Sequence, residues 1–180
     1  MVQLARKSDF PFRIKQDTEE WCIPATIEAV TKYSVGRDVP QRWIWERWDA
    51  ACKVLGIKPN TIWFGAIKKL VLDCEKEFSW TEAKAETSLP DFDAVCATIR
   101  DSLTRDVPPI ISTPVIQNRK HTGFWHMLCV VAYDNNSLEM HDPDPNMPPN
   151  SRWYATAQLE FDLALAKSKA THLLLLNRRT

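Results

Sequence analysis

The sequence has no excess of charge of either sign. Its 180 residues include 23 basic and 23 acidic side chains, so the formal net charge is zero. Proteins that bind nucleic acid or anionic membranes as main partners usually carry a basic surplus, and we expect neither partner here. Hydrophobic residues make up 44% of the chain and charged residues 26%, a balance typical of globular proteins. The length predicts one domain, residues 1–180, with a sizeable core.

Long apolar runs are missing as well. No stretch approaches the roughly 18 apolar residues that a membrane-spanning helix needs, so no membrane span is predicted. The first 15 residues carry charges and lack the apolar stretch of a secretory signal peptide. We therefore expect a cytoplasmic protein. Delivery into another cell by a specialised secretion system would leave no trace in such a sequence and stays open.

The cysteines do not form a metal or disulfide pattern. They are scattered, odd in number and without a C-x-x-C pair, at Cys22, Cys52, Cys74, Cys96 and Cys129. This spacing predicts neither a zinc site nor a disulfide framework. Free thiols in a reducing compartment fit best. Internal repeats and low-complexity tracts are also absent.

Two halves of the chain differ in their hydrophobic period. Apolar residues at helical spacing predict helices over residues 22–33, 41–55, 62–72 and 91–103. Later apolar runs rich in valine and isoleucine predict strands, with turn residues at 134–137 that favour a hairpin. The predicted later elements are strands 109–115, 126–133 and 138–141, an exposed loop 143–149, a helix 155–167 and a strand 171–177. Helices first and an antiparallel sheet second predict an α+β domain.

Cys22 lies in the first turn of the first predicted helix. Unpaired backbone N–H groups and the positive end of the helix dipole favour a thiolate there. A thiolate is the form of cysteine that attacks carbonyl carbons. A lone cysteine is nevertheless more often a small buried residue of a core helix. The interpretation of Cys22 as a nucleophile therefore depends on its companions.

Three further residues complete a candidate hydrolytic site. Gln16 lies six residues before Cys22, where its side-chain amide could form an oxyanion hole with the Cys22 N–H. His126 begins a predicted strand, and Asp142 ends the next one. The predicted hairpin brings these two residues level, so the carboxylate could orient the imidazole. Each residue alone also has a structural interpretation: a loop glutamine, a packed histidine and an Asp-Pro turn.

Together these residues resemble the papain-like cysteine peptidase superfamily. The resemblance rests on the order Gln, Cys, His, Asp, on the Gln-to-Cys spacing and on the helix-then-sheet organisation. Within the superfamily, Cys22-Ile23-Pro24-Ala25 and the segment 126–134 are closest to bacteriocin-processing bacterial peptidases. Those often have Cys-Gly-Pro-Ala, a Gly-His start to a Val-rich strand, and then Asp-Pro. The resemblance spans about residues 14–165 and implies a papain-like fold.

The resemblance also implies a function. It predicts a peptidase that hydrolyses peptide bonds with Cys22 as nucleophile, His126 as base, Asp142 as the orienting carboxylate and Gln16 at the oxyanion hole. Its substrate would be a peptide or protein, with no cofactor and no metal. Two alternatives stay open: a glutamine deamidase or amidase effector of the same fold, and a catalytically silent binding module.

Several positions depart from the family pattern. The Cys-Gly-Ser-Cys-Trp signature of plant and lysosomal members is absent. Ile23 stands where glycine is common after the nucleophile, and Trp125 stands before His126 where glycine is frequent. Asp142 replaces the asparagine of the plant enzymes, although either side chain can orient a histidine. Trp21, Ile23 and Trp125 are the predicted substrate contacts.

Other histidines compete for the role of base or metal ligand. His121 lies in a polar loop, where it could help to bind substrate, and His172 would begin the last strand. His141 adjoins Asp142 and should point to the other face of the sheet. A metal site of His141, Asp142 and Asp144 is not expected, because the spacing matches neither zinc nor calcium patterns.

Tryptophan is unusually frequent, with eight residues. Trp43, Trp45 and Trp48 fall within six positions, so one helix face cannot hold all three. Packing is the favoured interpretation. The alternative is a Trp-rich surface for a protein partner.

Overall fold

The fold is taken from a computed structural model that describes residues 1–58, 80–86, 91–117, 120–147, 152–165 and 173–178. Four α-helices lie in these ranges: α1 (Cys22–Val35), α2 (Gln41–Leu55), α3 (Phe92–Thr104) and α4 (Thr156–Leu165). The strands are β1 (Val2–Gln3), β2 (Trp80–Glu86), β3 (Ile110–Gln117), β4 (Lys120–Asp134), β5 (Ser137–His141), β6 (Arg152–Ala155) and β7 (Leu173–Arg178). The described part has the predicted α+β architecture.

Helix α1 begins at Cys22, as predicted, and ends at Val35. Its apolar face is buried and consists of Ile23, Ile27 and Val30. Gly36 follows in the left-handed region, with φ of 72°, and its N–H donates to the Lys32 carbonyl at 2.9 Å. Glycine adopts this backbone conformation without a steric penalty, which explains why the helix ends there.

Helices α2 and α3 also follow the predicted periodicity. Helix α2 has the predicted bounds and buries Ile44 and Trp48 against the core. Helix α3 is capped by Asp91, whose carboxylate accepts the Ala94 N–H at 2.8 Å. The predicted helix over residues 62–72, and Cys74 after it, lie outside the described residues.

The described strands form one antiparallel sheet in the order β2-β7-β3-β4-β5-β6, and β1 pairs with β4 beyond the end of β3. Strand β4 is central. It pairs with β3 along its first part, where His126 lies opposite Thr113, and with β5 along its last part, where Cys129 lies opposite His141. Residues 127–133 of β4 are all buried. Both faces of this strand are therefore covered.

The predicted hairpin between β4 and β5 is present, with Asp134 paired to Ser137 across Asn135 and Asn136. Strand β4 nevertheless starts at Lys120 instead of residue 126, because its first residues pair with the end of β3. His126 therefore lies inside a strand and does not open one.

Three strands are absent from the sequence prediction: β1, β2 and β6. Strand β2 interrupts the half of the chain that was predicted to be helical throughout. Its partner β7 lies about ninety residues further along the chain, so local periodicity carries no sign of it. Within the described residues, no helix is long and apolar enough to cross a membrane.

Candidate active site

The thiol of Cys22 stands at the amino-terminal end of α1. Trp21 precedes the helix, and its side chain makes no capping hydrogen bond to the first turn. The Cys22 side chain is partly exposed. The other described cysteines, Cys52, Cys96 and Cys129, are buried. Burial raises the pKa of all three thiols, to about 11 for Cys52.

The imidazole of His126 is bonded to the carboxylate of Asp142. His126 Nε2 lies 2.7 Å from Asp142 Oδ1, and only 1% of the Asp142 side chain is exposed. The same oxygen accepts the Asp144 N–H at 3.0 Å. Asp142 follows β5 directly, so a continued register would place it opposite Leu128 and not level with His126. Residues 126 and 128 of one strand share a face. The hydrogen bond between His126 and Asp142 therefore runs diagonally across the two strands.

His126 also forms a hydrogen bond with the Cys22 side chain. Because Nε2 contacts Asp142, the nitrogen left for the sulfur is Nδ1. Burial alone lowers the pKa of His126, but the hydrogen bonds to Asp142 and Cys22 outweigh it and raise the pKa to about 9. The imidazole therefore carries a proton at neutral pH. Cys22, His126 and Asp142 form one hydrogen-bonded row.

Gln16 lies in the segment that leads into α1, next to the Asp142 loop. Its backbone N–H donates to the Pro143 carbonyl at 2.8 Å, and Lys15 Nζ donates to the Asp142 carbonyl at 2.9 Å. In the Gln16 side chain, Nε2 donates to the Glu19 carbonyl at 3.0 Å. Gln16 Oε1 is buried and has no hydrogen-bond partner among the described residues.

Two solved structures are similar to this chain over nearly its whole length. A C39-like peptidase from Bacillus anthracis has a TM-score of 0.66 and 14% sequence identity, with 99% of this chain and 98% of that chain covered. The peptidase domain of Streptococcus ComA, a bifunctional ABC transporter involved in quorum sensing, has a TM-score of 0.54 and 17% identity, with 92% and 97% covered. The chain has the C39-like peptidase fold. This confirms the predicted papain-like fold, and the two similar structures are bacterial peptidases, as the resemblance predicts.

No protein-family model and no curated protein sequence matches the chain. At identities of 14% and 17%, the two structural similarities establish the C39-like fold and leave the activity to be argued from the site.

The three predicted substrate contacts lie in different environments of the C39-like fold. Trp21 stacks on Trp45 of α2, with 5.8 Å between ring centroids. Ile23 is only 3% exposed and belongs to the core, so its side chain packs inward and does not line an open surface. Trp125 is partly buried and lies opposite Pro114 of β3.

The other histidines are not in the hydrogen-bonded row. His141 is buried against Phe10 and Phe12, with 5.5 and 6.1 Å between ring centroids. Burial lowers the pKa of His141 to about 4, so it is neutral at pH 7. His121 lies in β4, where its backbone pairs with Ile116 of β3. His172 lies outside the described residues. Among the residues that the structure describes, no group of three or more His, Cys, Asp or Glu could hold a metal.

The tryptophans of α2 serve packing. Trp48 is buried, and Trp43 and Trp45 pack against the core at its edge. The guanidinium of Arg47 lies 3.4 Å from the ring centroid of Trp43. Trp153 of β6 is more exposed, at 49%.

Sequence reasoning missed two polar residues that hold the site together. Thr26, one turn after Cys22, donates its hydroxyl to the Met127 carbonyl at 3.2 Å and so links α1 to β4 beside His126. Gln41, at the start of α2, bonds to the backbone on both sides of Gln16. A threonine inside a helix and a glutamine after Pro40 carry no signal of these roles in the sequence.

Proposed function

We propose that this chain is a papain-like cysteine peptidase that hydrolyses peptide bonds. Cys22 is the nucleophile, His126 the general base and acid, Asp142 the residue that orients His126, and Gln16 an oxyanion donor. The observation that carries the proposal is that His126 forms hydrogen bonds with both Asp142, at 2.7 Å, and the Cys22 side chain. The similarity to C39-like peptidases supports the same assignment.

Catalysis starts from the ion pair in which His126 already holds the proton of the Cys22 thiol. The resulting thiolate attacks the substrate carbonyl carbon, and its oxygen becomes an oxyanion. The Cys22 backbone N–H and the second N–H of the Gln16 amide stabilise that oxyanion, since the bond to Glu19 uses only one of the two amide hydrogens. The His126 imidazolium protonates the leaving amine, and a thioester remains on Cys22.

The second half of the reaction releases the acid. Neutral His126 takes a proton from water, and the hydroxide attacks the thioester carbonyl. The sulfur leaves as a thiolate beside the imidazolium, which restores the starting pair. The Asp142 carboxylate holds the imidazole in place throughout and stabilises its charged form.

Alkylation of Cys22 by iodoacetamide from pH 4 to 9, with the modified peptides mapped by mass spectrometry, tests this proposal. Cys22 should react far faster than the buried Cys52, Cys96 and Cys129 below pH 7, and His126→Ala should remove that difference. A Cys22 that reacts no faster than the buried thiols would refute the thiolate–imidazolium pair.

Digestion of a peptide library then identifies the bond that is attacked. A peptidase yields two shorter peptides, each with a new terminus. A deamidase leaves the chain length unchanged and converts a glutamine amide to a carboxylate. Cys22→Ala should abolish either product. Two shorter peptides that depend on Cys22 are the expected outcome.

A further inference from the structure

The side chain of Gln41 bridges the backbone on both sides of Gln16. Gln41 is the first residue of α2 and is 5% exposed. Its Nε2 donates to the Lys15 carbonyl at 2.6 Å, and its Oε1 accepts the Asp17 N–H at 3.0 Å. One amide therefore contacts the residue before Gln16 and the residue after it.

The amide of Gln41 is also fixed from a third side. Nε2 donates to Glu28 Oε2 at 2.9 Å. A carboxylate only accepts hydrogen bonds, so Glu28 requires the nitrogen end of the amide on its side and the oxygen end toward Asp17. Both N–H groups and the carbonyl of Gln41 are thereby used. Because a buried amide with every group bonded resists rotation, its position defines the path of residues 15–17.

We propose that Gln41 is a positioning residue for the oxyanion hole: through the backbone of Lys15 and Asp17 it holds Gln16 where its amide reaches the oxyanion. This inference rests on the proposed function. The Gln16 N–H bond to the Pro143 carbonyl fixes the middle of the same segment against the Asp142 loop. Three successive residues are thus hydrogen-bonded. Helices α1 and α2 and the loop after β5 together hold the backbone from which the Gln16 side chain extends.

The surroundings of Gln41 tolerate a change of side chain. Gln41 lines a cavity of about 330 Å³ together with its partners Lys15, Asp17 and Glu28 and with Ile14, Pro40 and Arg42. Methionine has a similar length and no amide. Gln41→Met therefore removes the three hydrogen bonds without forcing extra volume into the core.

Two chemical probes separate the oxyanion hole from the thiolate. Iodoacetamide alkylates sulfur at a tetrahedral carbon and forms no oxyanion, whereas p-nitrophenyl acetate acylates it through an oxyanion and releases p-nitrophenolate. Gln41→Met should acylate about 100-fold more slowly than the parent protein, since displacement of a positioning group by about 1 Å costs that much. Its alkylation rate should be unchanged. Gln3→Met, an exposed position in β1, is the matched control and should change neither rate.

A double-mutant cycle distinguishes positioning from a general structural defect. Gln16→Ala should slow acylation by about 100- to 1000-fold. Adding Gln41→Met to Gln16→Ala should slow it no further, because the residue that Gln41 positions is already gone. Multiplied effects of the two substitutions, or a Gln41→Met variant that acylates at the parent rate, would overturn the inference.

Gln41→Glu gives a second test if Gln41→Met does not fold. This substitution keeps the shape and the acceptor for Asp17, but an ionised carboxyl cannot donate to the Lys15 carbonyl. Acylation relative to the parent protein should recover as the pH falls and the introduced carboxyl gains a proton; a ratio independent of pH contradicts the inference. Failure of the proposed function is a separate outcome, in which the parent protein itself shows no His126-dependent alkylation and no acylation of Cys22.

Discussion

At the scale of single residues, the buried carboxylate of Asp142 is the most demanding feature of the site. Removing a carboxylate from water is costly unless hydrogen bonds replace the lost solvation. Here His126 Nε2 and the Asp144 N–H both bond to Oδ1, at 2.7 and 3.0 Å. These two hydrogen bonds replace part of the lost solvation, and the carboxylate of Asp142 helps to raise the pKa of the imidazole beside it.

Asp142→Asn tests this electrostatic role. An asparagine can still accept a hydrogen bond from His126, but it lacks the negative charge that stabilises the imidazolium. The pKa of His126 should therefore fall from about 9 toward the usual value of a histidine. NMR titration of the His126 ring protons measures the shift. An unchanged titration midpoint would show that Asp142 does not control the charge of His126.

Ile23 belongs to the core, and its truncation should act on stability and not on the chemistry of the site. Ile23→Ala should lower the free energy of unfolding by about 2 to 5 kcal/mol, because it removes buried methyl groups and leaves a cavity. Urea denaturation measures this change, and Cys22 alkylation should keep its rate in the folded protein. Val54→Ala is the exposed control, since 73% of Val54 is accessible, and it should change stability by no more than about 0.5 kcal/mol. A slower alkylation with unchanged stability would instead place Ile23 in the site.

At the scale of elements, the site depends on how α1 docks on β4. Cys22 belongs to the helix and His126 to the strand, so their hydrogen bond requires a fixed distance between the two elements. Thr26 supplies a buried link, since its hydroxyl donates to the carbonyl of Met127, the neighbour of His126. It lies one helical turn after Cys22 and therefore on the same side of α1.

Thr26→Val should weaken this docking. The substitution keeps the shape of the side chain but leaves the buried Met127 carbonyl without that donor, at a cost of about 1 to 3 kcal/mol. Alkylation of Cys22 below pH 7 should slow, because the helix is less well held against His126. Chemical denaturation and the iodoacetamide assay measure the two effects.

Thr31→Val is the matched control within the same helix. The Thr31 hydroxyl is also buried, but it has no hydrogen-bond partner among the described residues. Replacing an unpaired buried hydroxyl with a methyl group should leave stability unchanged or raise it. Equal losses for Thr26→Val and Thr31→Val would mean that packing, and not the hydrogen bond to Met127, holds α1 in place.

The elements show which parts of the fold the sequence can predict. Helices α1, α2 and α3 and the β4–β5 hairpin arise from local patterns, namely helical spacing of apolar residues, an Asp91 cap and an Asn-Asn turn. Strands β1 and β2 gain their structure from distant partners, which a short window of sequence does not contain. Tertiary pairing therefore decides them, and local propensity does not.

The residues of the candidate site likewise divide into those that the sequence can predict and those that it cannot. Cys22, His126, Asp142 and Gln16 could be selected because their types, order and spacing resemble a known pattern. Gln41 could not, because its contacts with Lys15 and Asp17 arise only when α2 packs beside the segment before α1. The position of Ile23 next to Cys22 predicts a substrate contact, but the helical phase that buries Ile27 and Val30 also places Ile23 in the core.

At the scale of the whole molecule, folding shifts the pKa values of two histidines in opposite directions. His141 has a pKa lowered to about 4 by burial, and His126 has a pKa raised to about 9. The unfolded chain binds a proton at His141 between about pH 6.5 and 4 where the folded protein does not. His126 behaves in the opposite way: the folded protein keeps a proton on this residue up to about pH 9, whereas the unfolded chain releases it near pH 6.5.

Stability should therefore fall on both sides of about pH 6.5. The contribution of His141 is present above about pH 6.5 and is lost as the pH falls toward 4, by at most about 3 kcal/mol. The contribution of His126 is complete below about pH 6.5 and is lost as the pH rises through about 9. Urea denaturation between pH 4 and 9 measures the profile. His141→Leu should flatten the acid side, and His126→Ala should flatten the alkaline side.

The two histidine substitutions should affect stability at different pH. Each substitution should alter only its own side of the profile, relative to the parent protein. A His141→Leu variant that loses stability on acidification as steeply as the parent would show that other groups bind the destabilising protons.

The separation of Cys22 from His126 and Asp142 along the chain has a consequence for synthesis. Cys22 of α1 is made early, but His126 lies in β4 and Asp142 directly after β5. At about 5 to 20 residues per second, the ribosome adds the 120 residues from Cys22 to Asp142 in roughly 6 to 24 seconds. During that interval the nascent chain contains Cys22 without the complete pair of His126 and Asp142. Under the proposed function, the nascent chain therefore acquires its complete catalytic row only after the β4–β5 hairpin has emerged from the ribosome.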